Sequence, residues 1–284
     1  MMAAHVWRQG RFARRTVAAW FGCAALLASA APAAAQTTNV QHATVTLVSE
    51  EGALKPGAPA WVGVLFDMEP GWHIYWVNPG DAGDPPRLRW ELPAGFKAGD
   101  IRWPVPIRLV LGPVIDYGYE GRVLLALPID VPADYKPGTP ITLAADVRYV
   151  ICKDVCIPAR TRVTLPMPVP ASASPAPAAR RTLFADTRAR WPQALPSGWS
   201  ASASAAGKQI TLTLRTGKSE PSASFFPLEF DQIDNGAPQS ATPTPTGLQL
   251  ALTRSDPESP PPAVLRGVAV LSGGRAYEIN AEVR

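Results

Sequence analysis

From residue 43 onward the chain is built of short runs in which apolar and polar residues alternate. ATVTLVSE, AWVGVLFDM, WHIYWV, RLRWELP, RVLLALPIDV, ITLAADVRYVI and TRVTLPMPV follow one another. A period of two puts one set of side chains on each face of a strand. The runs are separated by KPGAP, EPG, NPGDAGDPP, PAGF, YGYEG and KPGTP, whose Gly, Pro and Asp suit turns. The chain holds 32 prolines, and an interior Pro removes a helix donor and clashes with the preceding turn. Short strands at this spacing predict a β-sandwich over residues 37–168.

The pattern stops at PMPVPASASPAPAAR, residues 166–180, which has no alternation and reads as a semi-rigid linker, bounded at 169–179. TLFADTRARWPQAL then offers the one plausible helix, limited by Pro192. Alternation resumes in KQITLTLRT, SASFFPLEFDQI, GLQLALTRS, AVLRGVAVLS and AYEINAEVR, with Phe225, Phe226, Leu228 and Phe230 expected to supply a second core. The expected fold is all-β: two β-sandwich domains, near 37–168 and 180–284, joined by a Pro/Ala-rich linker. Each is long enough to bury a core without help.

Residues 1–35 break the pattern in another way. MMAAHVWRQGRFARRT carries Arg8, Arg11, Arg14 and Arg15 and no acid, VAAWFGCAALLASA is apolar, and APAAA precedes Gln36. That is the layout of a cleaved secretory signal; an uncleaved anchor is the alternative, disfavoured by an apolar run short of about 20 residues. Cys23 would leave with the signal. The whole chain has 27 Lys+Arg and 23 Asp+Glu, so loss of those arginines leaves a balanced protein. Nothing in that balance argues for nucleic acid or an anionic membrane, and no later stretch is long and apolar enough to span a bilayer. Export places the remaining thiols in oxidising surroundings.

Those thiols are Cys152 and Cys156 in VICKDVCIPA. Four steps of straight strand span about 13 Å, whereas a disulfide needs Cα atoms within about 7 Å, so the chain must turn between them. Val147, Tyr149, Val150, Ile151, Val155 and Ile157 favour strands, which predicts a hairpin with Lys153-Asp154-Val155 at its tip. Setting Cys152 opposite Cys156 places Ile151–Ile157, Tyr149–Ala159, Val147–Thr161, Ala145–Val163 and Leu143–Leu165 on one side. Val150–Pro158, Arg148–Arg160 and Asp146–Arg162 fall on the other. A slip of one residue would destroy this sorting. The cysteines fall on the polar side, so both sulfurs are expected outside the core.

Three chemistries fit such a pair. A staple is the commonest fate of exported cysteines, yet closing so short a loop stabilises by only about 2 kcal/mol. Exposure and a tight loop favour a reducible, exchanging bond. Paired thiolates also suit Cu(I), with His73 of GWHIYW as the available third ligand; packing of an aromatic half-buried strand is the plainer reading of that stretch. Lys153 favours thiolate beside Cys152, Asp154 opposes it, and no helix N-terminus is at hand. The pair therefore reads as a disulfide awaiting attack by a partner's low-pKa thiol.

GWHIYWVNPGDAGDPPRLRWELPAGF, IRWPVPIRLVLGPVIDYGYEGRVLLALPI and VRYVICKDVCIPA, taken in order, resemble the amino-terminal periplasmic region of the thiol:disulfide interchange protein DsbD family, most closely its ScsB-type (suppressor of copper sensitivity) members. The likeness covers most of residues 40–168, and FFP at 225–227 and the closing AYEINAEVR resemble the additional β domain of the ScsB type. The resemblance implies an immunoglobulin-like first domain, Cys152–Cys156 as the redox pair, and no cofactor, with Cu(I) the alternative. It implies a periplasmic location, a membrane-embedded electron donor and thioredoxin-like periplasmic partners. It also implies a cap loop over the disulfide. By position that cap would be VIDYGYEG, residues 114–121, with Tyr117 and Tyr119 over the sulfurs and Asp116 and Glu120 nearby; without the family, YGYEG is a turn with two tyrosines. Family members continue into a membrane bundle and a thioredoxin-like domain, whereas this sequence stops at Arg284, which implies either separately encoded partners or a lost electron relay and leaves the direction and source of the electrons open.

Overall fold

The computed structural model describes residues 37–167 and 177–284. The expected signal (1–35) and most of the expected linker (169–176) lie outside the described residues. The first half contains β1 (Thr37–Val40), β2 (Ala43–Ser49), β3 (Pro59–Met68), β4 (His73–Gly80), β5 (Arg87–Glu91), β6 (Lys97–Ala98), β7 (Ile107–Leu111), β8 (Val114–Glu120), β9 (Arg122–Asp130), β10 (Ile141–Cys152) and β11 (Cys156–Met167). Helix α1 (Ala178–Ala189) follows. The second half contains β12 (Ser200–Ala206), β13 (Gln209–Arg215), β14 (Ala223–Pro227), β15 (Ser240–Thr244), β16 (Gly247–Thr253), β17 (Val264–Leu271) and β18 (Ala276–Glu282). The fold is all-β, as the alternation predicts.

One sheet has the order β1-β2-β3-β9-β6; a second has β11-β10-β4-β8-β7, with β5 also on β10. Their inward residues form one core: Val62, Val64 and Phe66 from β3 meet Ile74 and Trp76 from β4 and Tyr149 and Ile151 from β10. The Phe66 and Tyr149 rings pack edge-on at 5.1 Å. In the second half, β12-β13-β16-β15 and β14-β17-β18 bury Ile210, Leu212, Leu250, Phe225, Leu265 and Ile279 between them. Sheets facing across apolar side chains are sandwich packing, consistent with an immunoglobulin-like fold.

Three details depart from the expectations. YGYEG is not a turn: Tyr117–Glu120 complete strand β8. Its glycine serves close packing, since a Cβ on Gly118 would lie 2.2 Å from the Ile74 carbonyl oxygen. Of the four apolar residues expected in the second core, only Phe225 lies there. Phe226 joins the first core, and Leu228 and Phe230 are 40% and 58% exposed.

Helix α1 also belongs to the first half by contact. It starts at Ala178, inside the expected linker, and ends before Pro192. Phe184 packs with Val48, Leu65, Leu124 and Ala126 on the outer face of the first sheet. Arg188 forks onto both carboxylate oxygens of Glu50 and lies over the Trp61 ring at 5.3 Å. The sheets keep to one side or the other of the expected linker, yet all described residues form one compact unit.

Candidate redox site

Cys152 ends β10 and Cys156 begins β11; the turn is closed by the Lys153 amide donating to the Val155 carbonyl at 3.2 Å. The cysteines oppose each other in the ladder and form a disulfide with Cα atoms 4.2 Å apart. Every pairing expected from the sorting of polar and apolar residues is present, from Ile151–Ile157 back to Leu143–Leu165. Tyr149, Val147, Ala145 and Leu143 are buried in the core, while Arg148, Arg160 and Arg162 are exposed. Arg162 forks onto Glu91 and Arg160 reaches Asp146. Such exposed pairs add little stability, so the register rests on the apolar side.

Both sulfurs lie on the face away from the core, as expected, but the expected accessibility holds for Cys156 and fails for Cys152. Cys156 is exposed, because β11 is the edge strand of its sheet. Cys152 is fully buried, because β10 is an inner strand and His73 of β4 pairs with Cys152 on its other side. Ile74 and Trp76 of β4 enter the core, which turns His73 and Tyr75 to the opposite face, the face of the disulfide. There the Tyr75 hydroxyl donates to Cys152 Sγ at 2.8 Å and lies 3.6 Å from Cys156 Sγ.

Tyr75 is itself held from behind by Gly83, in the segment that follows β4. Gly83 has φ +83°, and a Cβ there would lie 2.1 Å from the Tyr75 Cζ; a side chain at this position would push the ring off the sulfur. The segment is laced to β8. The Asp81 amide donates to the Ile115 carbonyl at 3.0 Å, the Ile115 amide to Asp81 Oδ2 at 2.7 Å, and the Ala82 amide to Asp116 Oδ1 at 3.0 Å. Asp116 is buried and interacts with the Tyr75 hydroxyl. Burial pushes its carboxyl up to about 6, the Ala82 amide opposes that, and the Asp81 charge adds to it. Burial and then the Asp116 charge raise the Tyr75 phenol, so the hydroxyl keeps its proton and remains a donor.

The group over the disulfide is thus Tyr75, backed by Gly83, not the segment 114–121. Tyr117 and Tyr119 are buried in β8 with hydroxyls engaged elsewhere: Tyr117 donates to Asn235 Oδ1 at 2.9 Å and Tyr119 to the Pro104 carbonyl at 2.7 Å. Of the four residues expected in the cap, Asp116 reaches the site through Tyr75, and Glu120 is exposed at the strand end opposite His73. Sequence reading missed Tyr75 and Gly83. A signal for Tyr75 was present: in GWHIYW it shares strand parity with His73, a residue already singled out.

His73 is buried beside Tyr75, ring centroids 5.3 Å apart, and burial lowers its pKa against the pull of Glu120. Its Nε2 has no hydrogen-bond partner. Among the described residues no group of three or more His, Cys, Asp or Glu is arranged to hold a metal ion, and no helix is long and apolar enough to cross a membrane.

A β-sandwich that presents one sulfur of a hairpin disulfide at a sheet edge and keeps the other under a tyrosine has the layout of a thiol–disulfide exchange module. The family model described as "Thiol:disulfide interchange protein DsbD, N-terminal" matches residues 44–168, so the resemblance read from the sequence stands for this half. The fold is similar to the crystal structure of the N-terminal periplasmic domain of ScsB from Proteus mirabilis. The TM-score is 0.63 at 19% identity, covering 87% of this chain and 96% of that one. No curated protein matches the chain.

Proposed function

We propose that this protein is a periplasmic thiol–disulfide exchange protein that passes reducing equivalents to or from thioredoxin-like partners through Cys152–Cys156. The observation that carries the reading is the asymmetry of the pair, Cys156 exposed and Cys152 under the Tyr75 hydroxyl. A partner thiolate attacks Cys156 Sγ, the intramolecular S–S bond breaks, and its electron pair leaves on Cys152 Sγ. Tyr75 donates to that thiolate, and in its protonated form Asp116, which interacts with the Tyr75 hydroxyl, is the proposed source of a proton. A second partner thiol then attacks the mixed disulfide and releases Cys156 as thiolate. The partner dithiol is oxidised and this pair reduced; the reverse sequence gives the electrons back. No cofactor enters. The match to a thiol:disulfide interchange family supports the chemistry. The periplasmic origin of the ScsB domain and the signal-like first 35 residues support the location. A membrane-embedded donor is the expected source of electrons.

The test is to mix oxidised protein with a reduced thioredoxin-like protein and count thiols on each. Two thiols are expected to move, at an equilibrium whose potential lies among those of exchange proteins. A potential below about −300 mV would mark a resistant structural bond and overturn the reading.

One observation favours a second reading, Cu(I) held by the reduced pair: the buried, unpartnered Nε2 of His73, on the residue opposite Cys152. Two thiolates and a neutral imidazole suit that ion. Anaerobic titration of reduced protein with Cu(I) separates the two. Stoichiometric binding lost in His73→Ala supports copper; binding unchanged by that substitution removes it.

A further inference from the structure

The second half of the chain touches the first at the segment that backs Tyr75. Asn78, the residue of β4 two before its end, is buried. Its Nδ2 donates to the Pro227 and Glu229 carbonyls at 2.9 and 3.1 Å, while its Oδ1 accepts from the Gly80 amide at 3.0 Å. One side chain therefore shapes the turn out of β4 and grips the second half. Asn235 does the same from the other side: its Nδ2 donates to Asp81 Oδ1 at 2.8 Å and its Oδ1 accepts from Tyr117. Arg108 of β7 donates to the Asn235 carbonyl at 2.8 Å. The loop is firm in itself, since Asp234 Oδ1 accepts from the Gly236 and Ala237 amides at 2.9 and 3.1 Å. Between these polar grips Phe226 packs against Trp76 and Tyr117 at 6.3 and 5.3 Å, the chain neighbours of Tyr75 and Asp116.

We infer that the second half is a positioning part of the redox site: through Asn78, Asn235 and Phe226 it clamps residues 78–84 and β8, and so holds Tyr75 on Cys152. The inference rests on the reading of Cys152–Cys156 as an exchanging pair. The physical need is clear from the charges. Asp81 and Asp116 are close enough for the charge of the first to act on the second, and like carboxylates repel. Backbone hydrogen bonds tie the segment to β8 in spite of this. The Asn235 amide supplies a donor to Asp81 at that point. Without it those bonds alone oppose the repulsion, the segment is held less firmly against β8, and Gly83 backs the Tyr75 ring less closely. The hydroxyl that must stabilise the departing Cys152 thiolate is then less firmly placed.

The experiment follows reduction of the disulfide in the full chain by dithiothreitol, a small thiol that needs no docking surface and so isolates positioning from partner binding. Asn235→Ala removes the donor and Asn235→Asp sets a carboxylate against Asp81. The expected result is slower reduction, by about threefold for Ala and about tenfold for Asp, the range of factors one ordinary hydrogen bond carries. Asp81→Asn combined with Asn235→Asp reverses donor and acceptor while keeping every bond, and should restore the original rate. In a Tyr75→Phe background, Asn235→Asp should cause no further slowing, because the hydroxyl it positions is gone.

An unchanged rate in both single variants, or an equal slowing with and without the Tyr75 hydroxyl, overturns the inference. Should Asn235→Asp fold poorly, the half-buried Asn235→Ala variant decides. Failure of the unaltered protein to exchange with any thioredoxin-like protein would sink the proposed function while leaving these rate effects in place. Normal exchange with no effect of Asn235 would sink only the clamp.

Discussion

Cys152→Ser is expected to accumulate a covalent adduct with a thioredoxin-like partner, while Cys156→Ser yields almost none. In the first variant the surviving thiol is Cys156, at the start of an edge strand and exposed. In the second the surviving thiol is Cys152, fully buried with the Tyr75 hydroxyl on its sulfur. Exchange requires in-line approach of an attacking sulfur, so access governs the rate. The difference in adduct formation should be large, because access is one of the factors that set the exchange rate and only Cys156 has it. A chromogenic disulfide reagent gives the same comparison without a partner. Equal reaction of the two variants would mean that Tyr75 does not shield Cys152 in solution, and the assignment of Cys156 as the attacked sulfur would fall with it.

The second large effect concerns Asp116 and pH. Its carboxyl titrates near 6 in the fold against an ordinary 3.8, chiefly because it is buried. The native state thus holds this proton more tightly than the unfolded chain does. The group's favourable contribution is complete below its unfolded value and is lost as pH rises through its folded value. Asp116→Asn mimics the protonated acid: it can accept from the Ala82 amide and donate toward Tyr75. Relative to the unaltered protein, the variant should gain about 2–3 kcal/mol of stability between about pH 4 and about pH 7, at about 1.4 kcal/mol per pKa unit. Denaturant unfolding of the oxidised protein at the two pH values checks it. A constant difference between variant and parent would show that Asp116 is ionised at little cost. The same substitution should remove any dependence of the exchange rate on a group titrating near pH 6.

The parts of this protein that sequence reading recovered are those where a local rule has one solution. The β10–β11 hairpin is the clearest, because two prolonged runs with opposite faces can be aligned in only one register that keeps Tyr149, Val147 and Leu143 together. A strand with clean alternation, such as β13, was equally visible. SASASAA, which forms β12, was not, since its small side chains carry no alternation of hydrophobicity. YGYEG was misread because Gly118 looks the same in sequence whether it permits a turn or the close approach of a neighbouring strand. The FFPLEF run misled for a different reason. Phe225 and Phe226 point to opposite faces of β14, so one enters the second core and its neighbour the first, and alternation cannot say that a different core waits on the far side.

The candidate site divides along the same line. Composition and spacing alone were enough to place two sulfurs across a hairpin turn, on the side away from the core, within bonding distance. That follows from the two-residue repeat of a strand, which commits every side chain once one pairing is chosen. Which sulfur is shielded was decided by tertiary structure: Tyr75 lies 77 positions before Cys152, and Asn235, which reaches the segment behind it, lies 154 positions from Asp81. Contacts at such separations arise from the order in which strands join a sheet and from how two sandwiches meet, and a residue's own neighbours in the chain carry no record of either.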